Sequence, residues 1–239
     1  MNRKASWAAV TRELELLTTE ELLAIIEKPG RLKRYAKTIV AENAANTYVT
    51  HLNDVDVPEE FHDAKIAWRK LAIKIGYIGP VAWKVRAGFS VKLHANLVGP
   101  CYRHLDHLQD CEFSNYEPTK DAIVFCIPRM AEGSTNKKFA QMEVRREKLR
   151  QRYGLPAHHC QSNGSISLLF ALIFANFKRT GDKSQLQGRC AVSDTITTDG
   201  CHMFAGIFGD EGLHCDPWND EFPHEGFGFF LLGIEELKK

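Results

Sequence analysis

Residues 166–177 read ISLLFALIFANF, an apolar run interrupted only by one serine and one asparagine. Ser165 precedes the run, and Lys178, Arg179 and Gly181 follow it, which is typical of a helix start and a helix end. Because nearly every face of such a helix is apolar, other elements must surround it. The sequence therefore predicts a central helix from Ser165 to Thr180, around which the rest of the chain is arranged.

The segment that follows Gly181 favours β-structure. Short apolar runs alternate with two turn signals, Thr198-Asp199-Gly200 and Asp210-Glu211-Gly212, and residues 227–234 form a last strand. If Asp199 and Gly200 form a two-residue turn, residues whose numbers sum to 399 face each other. This register places Asp194 opposite Ala205 on an apolar face.

Residues 1–180 are mainly helical in pattern. The run AIVFCI at 122–127, which Pro128 ends, predicts a buried strand in the middle of a sheet, and residues 81–97 favour a strand. The predicted helices are one that starts at Thr18, one over residues 31–51, one from Pro58 to Gly76, and one from Ser134 or Thr135 to about Tyr153.

These elements together predict an α+β fold. N-terminal helices and the central apolar helix pack on a largely antiparallel C-terminal sheet. We interpret residues 1–239 as a single domain, helix-rich over 1–180 and strand-rich over 181–239. A boundary near 112–121 is the less favoured alternative.

Composition narrows the function classes. The hydrophobic content of 44% and the charged content of 26% are those of a globular domain. No apolar run approaches the ~20 residues that cross a bilayer, and the first residues lack the apolar core of a signal peptide. Seven cysteines without a CxxC pair indicate reduced thiols. We expect a soluble cytoplasmic protein with no membrane partner.

Charge is strongly segregated along the chain, although the net charge is only +1. Residues 190–237 contain no lysine or arginine but ten carboxylates, whereas residues 137–152 are strongly basic. The basic segment, with Lys137, Lys138, Arg145 and Arg146, could bind phosphate or a nucleic acid backbone. The simplest alternative is that the acidic tail pairs internally with this basic helix.

The densest group of chemically able side chains lies at residues 102–111. If this segment is helical, His104, His107 and Cys111 share one face, and Asp110 lies nearby. An imidazole beside a carboxylate can transfer protons, with or without a metal. These residues therefore predict a hydrolase site of His104, His107 and Asp110, whereas a short buried amphipathic helix explains the same pattern.

The histidines and cysteines of the tail suggest a zinc site at first. The triplet at 158–160 and the pairs at 201–202 and 214–215 have the right side chains, but alternation along the hairpin strands separates His202 from His214, and no metal site is predicted. The strand face that bears His202 also bears Thr195 and Thr197. We expect this face, with Asp194 near it, either to bind a ligand or to be covered by the protein's own helices.

The function that these patterns favour is that of a binding or interaction protein of unknown partner. A hydrolase that uses His104, His107 and Asp110 is the first alternative, and nucleic acid or phosphate binding through residues 137–152 is the second. Cofactors stay unknown, and self-association stays open.

Overall fold

A computed structural model of the chain describes residues 49–88, 120–181, 186, 188–209 and 212–237. Within these ranges the chain forms three α-helices, one 3₁₀ turn (Glu59–Phe61) and eight strands, which confirms the α+β fold class. The helices are α1 (His62–Lys74), α2 (Phe139–Tyr153) and α3 (Ile166–Thr180). The strands are β1 (Val49–Leu52), β2 (Ala82–Val85), β3 (Ala122–Cys126), β4 (Cys190–Ile196), β5 (His202–Gly209), β6 (Gly212–Trp218), β7 (Phe227–Gly228) and β8 (Leu232–Glu236).

The strands form two sheets of four. Sheet A has the order β1-β2-β3-β8 and is antiparallel throughout. Sheet B has the order β6-β5-β4-β7, and within it only β4 and β7 run parallel. The acidic tail therefore contributes to both sheets, because β8 joins β3 while the preceding tail strands build sheet B.

The apolar helix α3 lies at the centre, as its sequence predicts. It contacts β1 in sheet A and both β4 and β5 in sheet B. The Ser165 hydroxyl accepts the N–H of Leu168 and so caps the start, and Gly181 ends the helix in a left-handed conformation. A helix between two sheets buries all its faces, which explains why its apolar pattern has no polar side.

Strand β3 separates two hydrophobic cores. All five of its residues are buried, and alternate side chains enter opposite cores. Val124 and Cys126 belong to the core around α3, whereas Ile123 and Phe125 belong to the core under α1 and α2. The predicted position in the middle of a sheet is confirmed, because β3 lies between β2 and β8.

Two predicted helix boundaries are wrong. Residues 49–51 belong to β1 and not to a helix over 31–51, because Val49 and Thr50 pair with Val85 and Lys84 of β2. Helix α2 begins at Phe139 and not after Ser134 or Thr135. The reason is Asn136, which has a φ of +55°, a left-handed conformation that a helix excludes.

The register of the β4–β5 hairpin also differs from the prediction. Ala205 faces Ala191 and not Asp194, and Ile196 faces His202. The register shifts between Val192 and Ile196, so one strand carries a bulge. The prediction assumes a regular hairpin, in which the numbers of paired residues have a constant sum, and a bulge changes that sum. Asp194 lies within this bulge.

The described ranges contain five cysteines, all of them free thiols. None of the helices in these ranges is both long enough and apolar enough to span a bilayer. The helices that the sequence predicts before residue 48 lie outside the described residues.

Candidate functional site

The predicted acid–base residues His104, His107 and Asp110 lie outside the described residues, as does Cys111. The hydrolase hypothesis that depends on them therefore stays a prediction.

Two of the four predicted ligand-binding residues of the tail bond to the segment before α3. The Asp194 carboxylate accepts the Ser162 hydroxyl at 2.6 Å and the Asn163 N–H at 2.9 Å. The Thr195 hydroxyl oxygen accepts the N–H of Ile166 at 3.0 Å. Both side chains therefore help to fix the start of the central helix.

The other two residues of this set also have partners within the chain. Thr197 accepts the N–H of Cys201 across the turn. His202 is buried, stacks on Phe139 with ring centroids 3.6 Å apart, and bonds through Nδ1 to the carbonyl of Ser193. The helix-covered alternative thus describes His202, and a ligand-binding role of the four residues stays a prediction.

Three of the predicted anion-binding residues are at least partly exposed and have different contacts. Lys138 pairs with Glu221, Nζ to Oε2 at 2.6 Å, and Arg145 donates to the carbonyl of Glu132 at 2.9 Å. Lys137 is half-buried. A phosphate or nucleic acid surface built from these side chains stays a prediction.

Arg146, the fourth of these residues, is buried and lies beneath the surface. Its Nε donates to the carbonyl of Cys160 at 2.8 Å, one Nη to the carbonyl of Gln161 at 3.1 Å, and the other Nη to the amide oxygen of Asn163. A guanidinium offers five donors in a rigid fork, which suits three acceptors along one loop. Arg146 thus fixes the loop between α2 and α3, residues 154–165.

The expected internal pairing of the acidic tail with the basic helix is limited. Within the described ranges, Lys138–Glu221 is the ion pair that joins the two. Three other arginines of α2 instead pair with Glu132, before the helix, or with Glu147, inside it; they are Arg145, Arg150 and Arg152. The charge segregation of the sequence is therefore not cancelled by these contacts.

Two imidazoles from the loop after α2 meet one carboxylate from β8. Glu235 Oε1 lies 2.7 Å from His158 Nε2 and 2.9 Å from His159 Nε2. We call His158, His159 and Glu235 the imidazole cluster. His158 is 61% exposed, whereas the His159 side chain is fully buried. The N–H of Cys160 donates to the carbonyl of Leu232 at 2.7 Å and so holds the loop against β8.

The protonation of His159 follows from its neighbour on α1. The indole Nε1–H of Trp68 donates to His159 Nδ1 at 2.9 Å. An indole can only donate, so Nδ1 is the unprotonated nitrogen and the ring proton lies on Nε2, where it points at Glu235. The ring also lies directly on Gly233, because a Cβ at that position would be 2.4 Å from Nδ1.

This tautomer bears on metal binding. The cluster offers three ligand atoms within 4.8 Å of one another, as a metal site would. A metal on His159 Nε2 would leave the ring proton on Nδ1, where it would face the N–H of Trp68. Two donors would then oppose each other, so the geometry disfavours His159 as a ligand. We interpret the cluster as a network of proton-carrying groups.

Two members of the cluster, the buried His159 and the half-buried Glu235, have shifted pKa values. Burial lowers the pKa of His159 below its usual 6.5, and the hydrogen bond to Glu235 opposes this shift only in part. Burial by itself would raise the pKa of Glu235, but the hydrogen bonds from His158 and His159 outweigh it and lower that pKa below 4.5. Near neutral pH, His159 is therefore uncharged and Glu235 is ionised.

These shifts predict a loss of stability in acid. Above pH 6.5, His159 is neutral in both the folded and the unfolded chain. Below it, the unfolded chain takes up the proton first, so the free energy of unfolding falls as the pH drops towards the folded pKa. Below 4.5, Glu235 adds a further loss. Urea midpoints at pH 7.5, 6.5 and 5.5 measure the effect of His159, and a flatter profile is expected for His159→Asn. Equal slopes in both proteins would contradict the assignment.

A pocket of about 260 Å³ lies beside α1. Its walls are mainly aliphatic, and its polar groups come from the segment after β3 and from the end of α2. We call it the α1 pocket. It is lined by Trp68, Leu71, Ile75, Ile127, Arg129, Met130, Ala131, Glu132, Tyr153 and Leu231.

One carboxylate, that of Glu132, lines the α1 pocket. Hydrogen bonds from Tyr153 and Arg152 lower the pKa of Glu132, so this group is ionised. Arg152 lies 3.0 Å and Arg145 3.9 Å from its oxygens. Arg129, in contrast, has the carbonyl of Ile75 at 3.2 Å as its acceptor, and the described residues place no carboxylate on it.

A further cation lies close to the same pocket. Lys74 Nζ is 5.2 Å from the ring centroid of Tyr153, the distance of a cation–π contact. Glu132 already has two arginine partners. Its negative charge therefore does not balance the positive charges of Lys74 and Arg129. The rim of the α1 pocket is therefore positive.

Sequence reasoning missed the imidazole cluster and the α1 pocket. It noted His158 and His159 only as zinc-type side chains, because Glu235 lies 76 residues from His159 in the chain. One signal was present, since a glycine inside an apolar strand, here Gly233, marks a close approach by another group. Comparison with known proteins gives no further guide: no family model, curated protein or solved structure matches the chain.

Proposed function

We propose that the chain is a binding protein whose ligand is a small amphipathic anion, held in the α1 pocket. The observation that carries the proposal is a pocket with aliphatic walls and an arginine at its rim that has no carboxylate partner among the described residues. Small-molecule sites have this character, with apolar walls and few polar groups. We include a cytoplasmic location in the proposal, because the described cysteines are free thiols.

The volume of the pocket limits the size of the ligand. Sites for drug-sized molecules measure roughly 300–1,000 Å³, and 260 Å³ lies just below this range. A short alkyl or aryl group with one charged head fits such a space. Leu71, Ile75 and Leu231 would contact the apolar part, and the head would lie at Arg129.

The charge of the ligand follows from the rim. A cationic head would meet Arg129 and Lys74, whereas Glu132 already has Arg145 and Arg152 as partners. An anionic head would instead form a charge-assisted hydrogen bond with the guanidinium of Arg129. Carboxylates, sulfonates and phosphate monoesters share this chemistry.

The proposal is tested with octane-1-sulfonate, which carries an octyl chain and a permanent negative charge. A ligand of this size is expected to bind with a Kd near or below about 1 mM. Binding is followed by two-dimensional ¹H–¹⁵N NMR through the indole N–H signal of Trp68. This signal is assigned by its loss in Trp68→Phe. Octyltrimethylammonium, which has the opposite charge, should bind more weakly, and Arg129→Gln should remove this preference. Equal binding of both probes would contradict an anion site.

Substitution of Ile75 by tryptophan should block the pocket. Ile75 lines it and is half-buried, so a larger ring can enter the space without displacing the core. We expect the affinity for octane-1-sulfonate to fall at least tenfold. The matched control is Ile73→Trp, two residues earlier in the chain, because Ile73 is 72% exposed and does not line the pocket. If both variants lose affinity equally, the ligand lies elsewhere.

A further inference from the structure

We propose that proton uptake by His159 weakens ligand binding in the α1 pocket, and that Trp68 transmits the effect. The inference rests on the proposed function, since it concerns regulation of the same site. Trp68 is the residue that the imidazole cluster and the α1 pocket share: it lines the pocket, and its indole N–H bonds to His159 Nδ1 at 2.9 Å.

Protonation of His159 changes this contact from attraction to repulsion. The neutral ring accepts the Trp68 N–H at Nδ1, but the charged ring carries a proton on both nitrogens and can accept at neither. Two N–H groups would then face each other across 2.9 Å. The indole and the imidazole cannot both keep their positions.

The surroundings decide which ring moves. Glu235 attracts the charged imidazole and holds its Nε2 end at 2.9 Å, while the ring lies against the backbone of Gly233 on one side. His158 is the other titratable group that faces His159, and it shares Glu235. From α1 and β3, the rings of Trp68 and Phe125 pack on His159, and neither carries charge.

Trp68 is therefore the ring that moves, and its movement changes the free volume of the pocket. The indole is fully buried and stacks on Phe125 with centroids 6.3 Å apart, so it can shift only towards space that is not filled. The α1 pocket provides that space. A displaced indole would occupy volume that the apolar part of the ligand needs.

The sign and the limit of the effect follow from linkage. The ligand binds the form in which His159 is neutral, so affinity falls as the pH drops and the free protein takes up the proton. For one proton, the loss is at most about tenfold in Kd per pH unit. The bound ligand must in turn lower the pKa of His159.

An NMR titration of the free protein first gives the pKa of the His159 ring, and the Kd of octane-1-sulfonate is then measured at pH 7.5 and at one pH unit below that pKa, since the charge of this probe does not change between them. We expect the Kd to rise at least threefold at the lower pH. In His159→Asn, whose amide oxygen can accept the Trp68 N–H but does not titrate, the ratio of the two Kd values should be close to one. His158→Asn is the matched control, because it removes the neighbouring exposed imidazole, and it should keep the ratio of the unmodified protein.

Four results would overturn the inference. A Kd ratio near one in the unmodified protein, or an unchanged ratio in His159→Asn, removes the coupling but leaves the proposed function intact. No binding at either pH overturns both. If His159→Asn does not fold, the measurement on this variant is replaced by NMR titrations of the His159 ring in the unmodified protein, with and without octane-1-sulfonate, which give its pKa in both states. A lower pKa with the probe supports the coupling, and an unchanged pKa overturns it.

Discussion

Substitution of Arg146 by alanine is expected to lower the free energy of unfolding by about 3 kcal/mol or more. Arg146 is 4% exposed and donates to acceptors on Cys160, Gln161 and Asn163. Alanine would leave these buried oxygens without donors and would open a cavity under the α2–α3 loop. That loop carries both histidines of the imidazole cluster, so their alignment on Glu235 should be lost as well.

Urea unfolding at pH 7.5 measures this change. A lower midpoint with an unchanged m value indicates lost stability and not a changed unfolded state. Arg145→Ala is the matched control, because the neighbouring side chain is more exposed, donates to one carbonyl and otherwise pairs with the exposed carboxylate of Glu132. Arg146→Lys should recover little, since an ammonium cannot copy the planar fork of donors. A midpoint for Arg146→Ala equal to that of Arg145→Ala would refute the structural role.

Substitution of Gly233 by alanine should destabilise the protein by about 1–3 kcal/mol, the usual cost of overpacking. A Cβ at this position would lie 2.4 Å from His159 Nδ1 and 2.7 Å from its Cε1. The imidazole would have to leave its place, and its hydrogen bonds to Trp68 and Glu235 would be broken. Gly233 lies in a regular part of β8, opposite Phe125, so alanine causes no backbone strain of its own.

A double-mutant cycle separates this clash from a general effect on β8. In His159→Ala, the space above Gly233 is empty, and Gly233→Ala should then be neutral or stabilising by about 0.5–1 kcal/mol, because alanine is favoured over glycine inside a strand. Thermal or urea unfolding of the four proteins gives the coupling free energy. The same loss in both backgrounds would show that His159 does not lie on Gly233.

Local pattern was sufficient to predict the elements whose environment is uniform. The helix at Ser165–Thr180 and the strand at Ala122–Cys126 are apolar because both of their sides are covered, and an apolar run reports this directly. The capping hydroxyl of Ser165 and the final Gly181 fixed the helix boundaries for local reasons. The α+β class follows from such elements.

Long-range geometry was not accessible in the same way. The bulge between Val192 and Ile196 shifts the register of β4, and no turn residue in the sequence indicates its position. The burial of Arg146 depends on carbonyl groups of a loop, which carry no sequence signal. The imidazole cluster joins residues from different parts of the chain, and single-sequence patterns do not report such contacts.

The most direct test of the account is a crystal structure of the protein with 8-bromooctanoate, an anion of the proposed class whose bromine can be located by anomalous scattering. The proposed function predicts a bromine peak inside the α1 pocket, between Leu71 and Ile75, with the carboxylate at Arg129. A pocket without ligand density, in crystals equilibrated well above the measured Kd, would contradict it. So would a bromine peak found only outside the pocket.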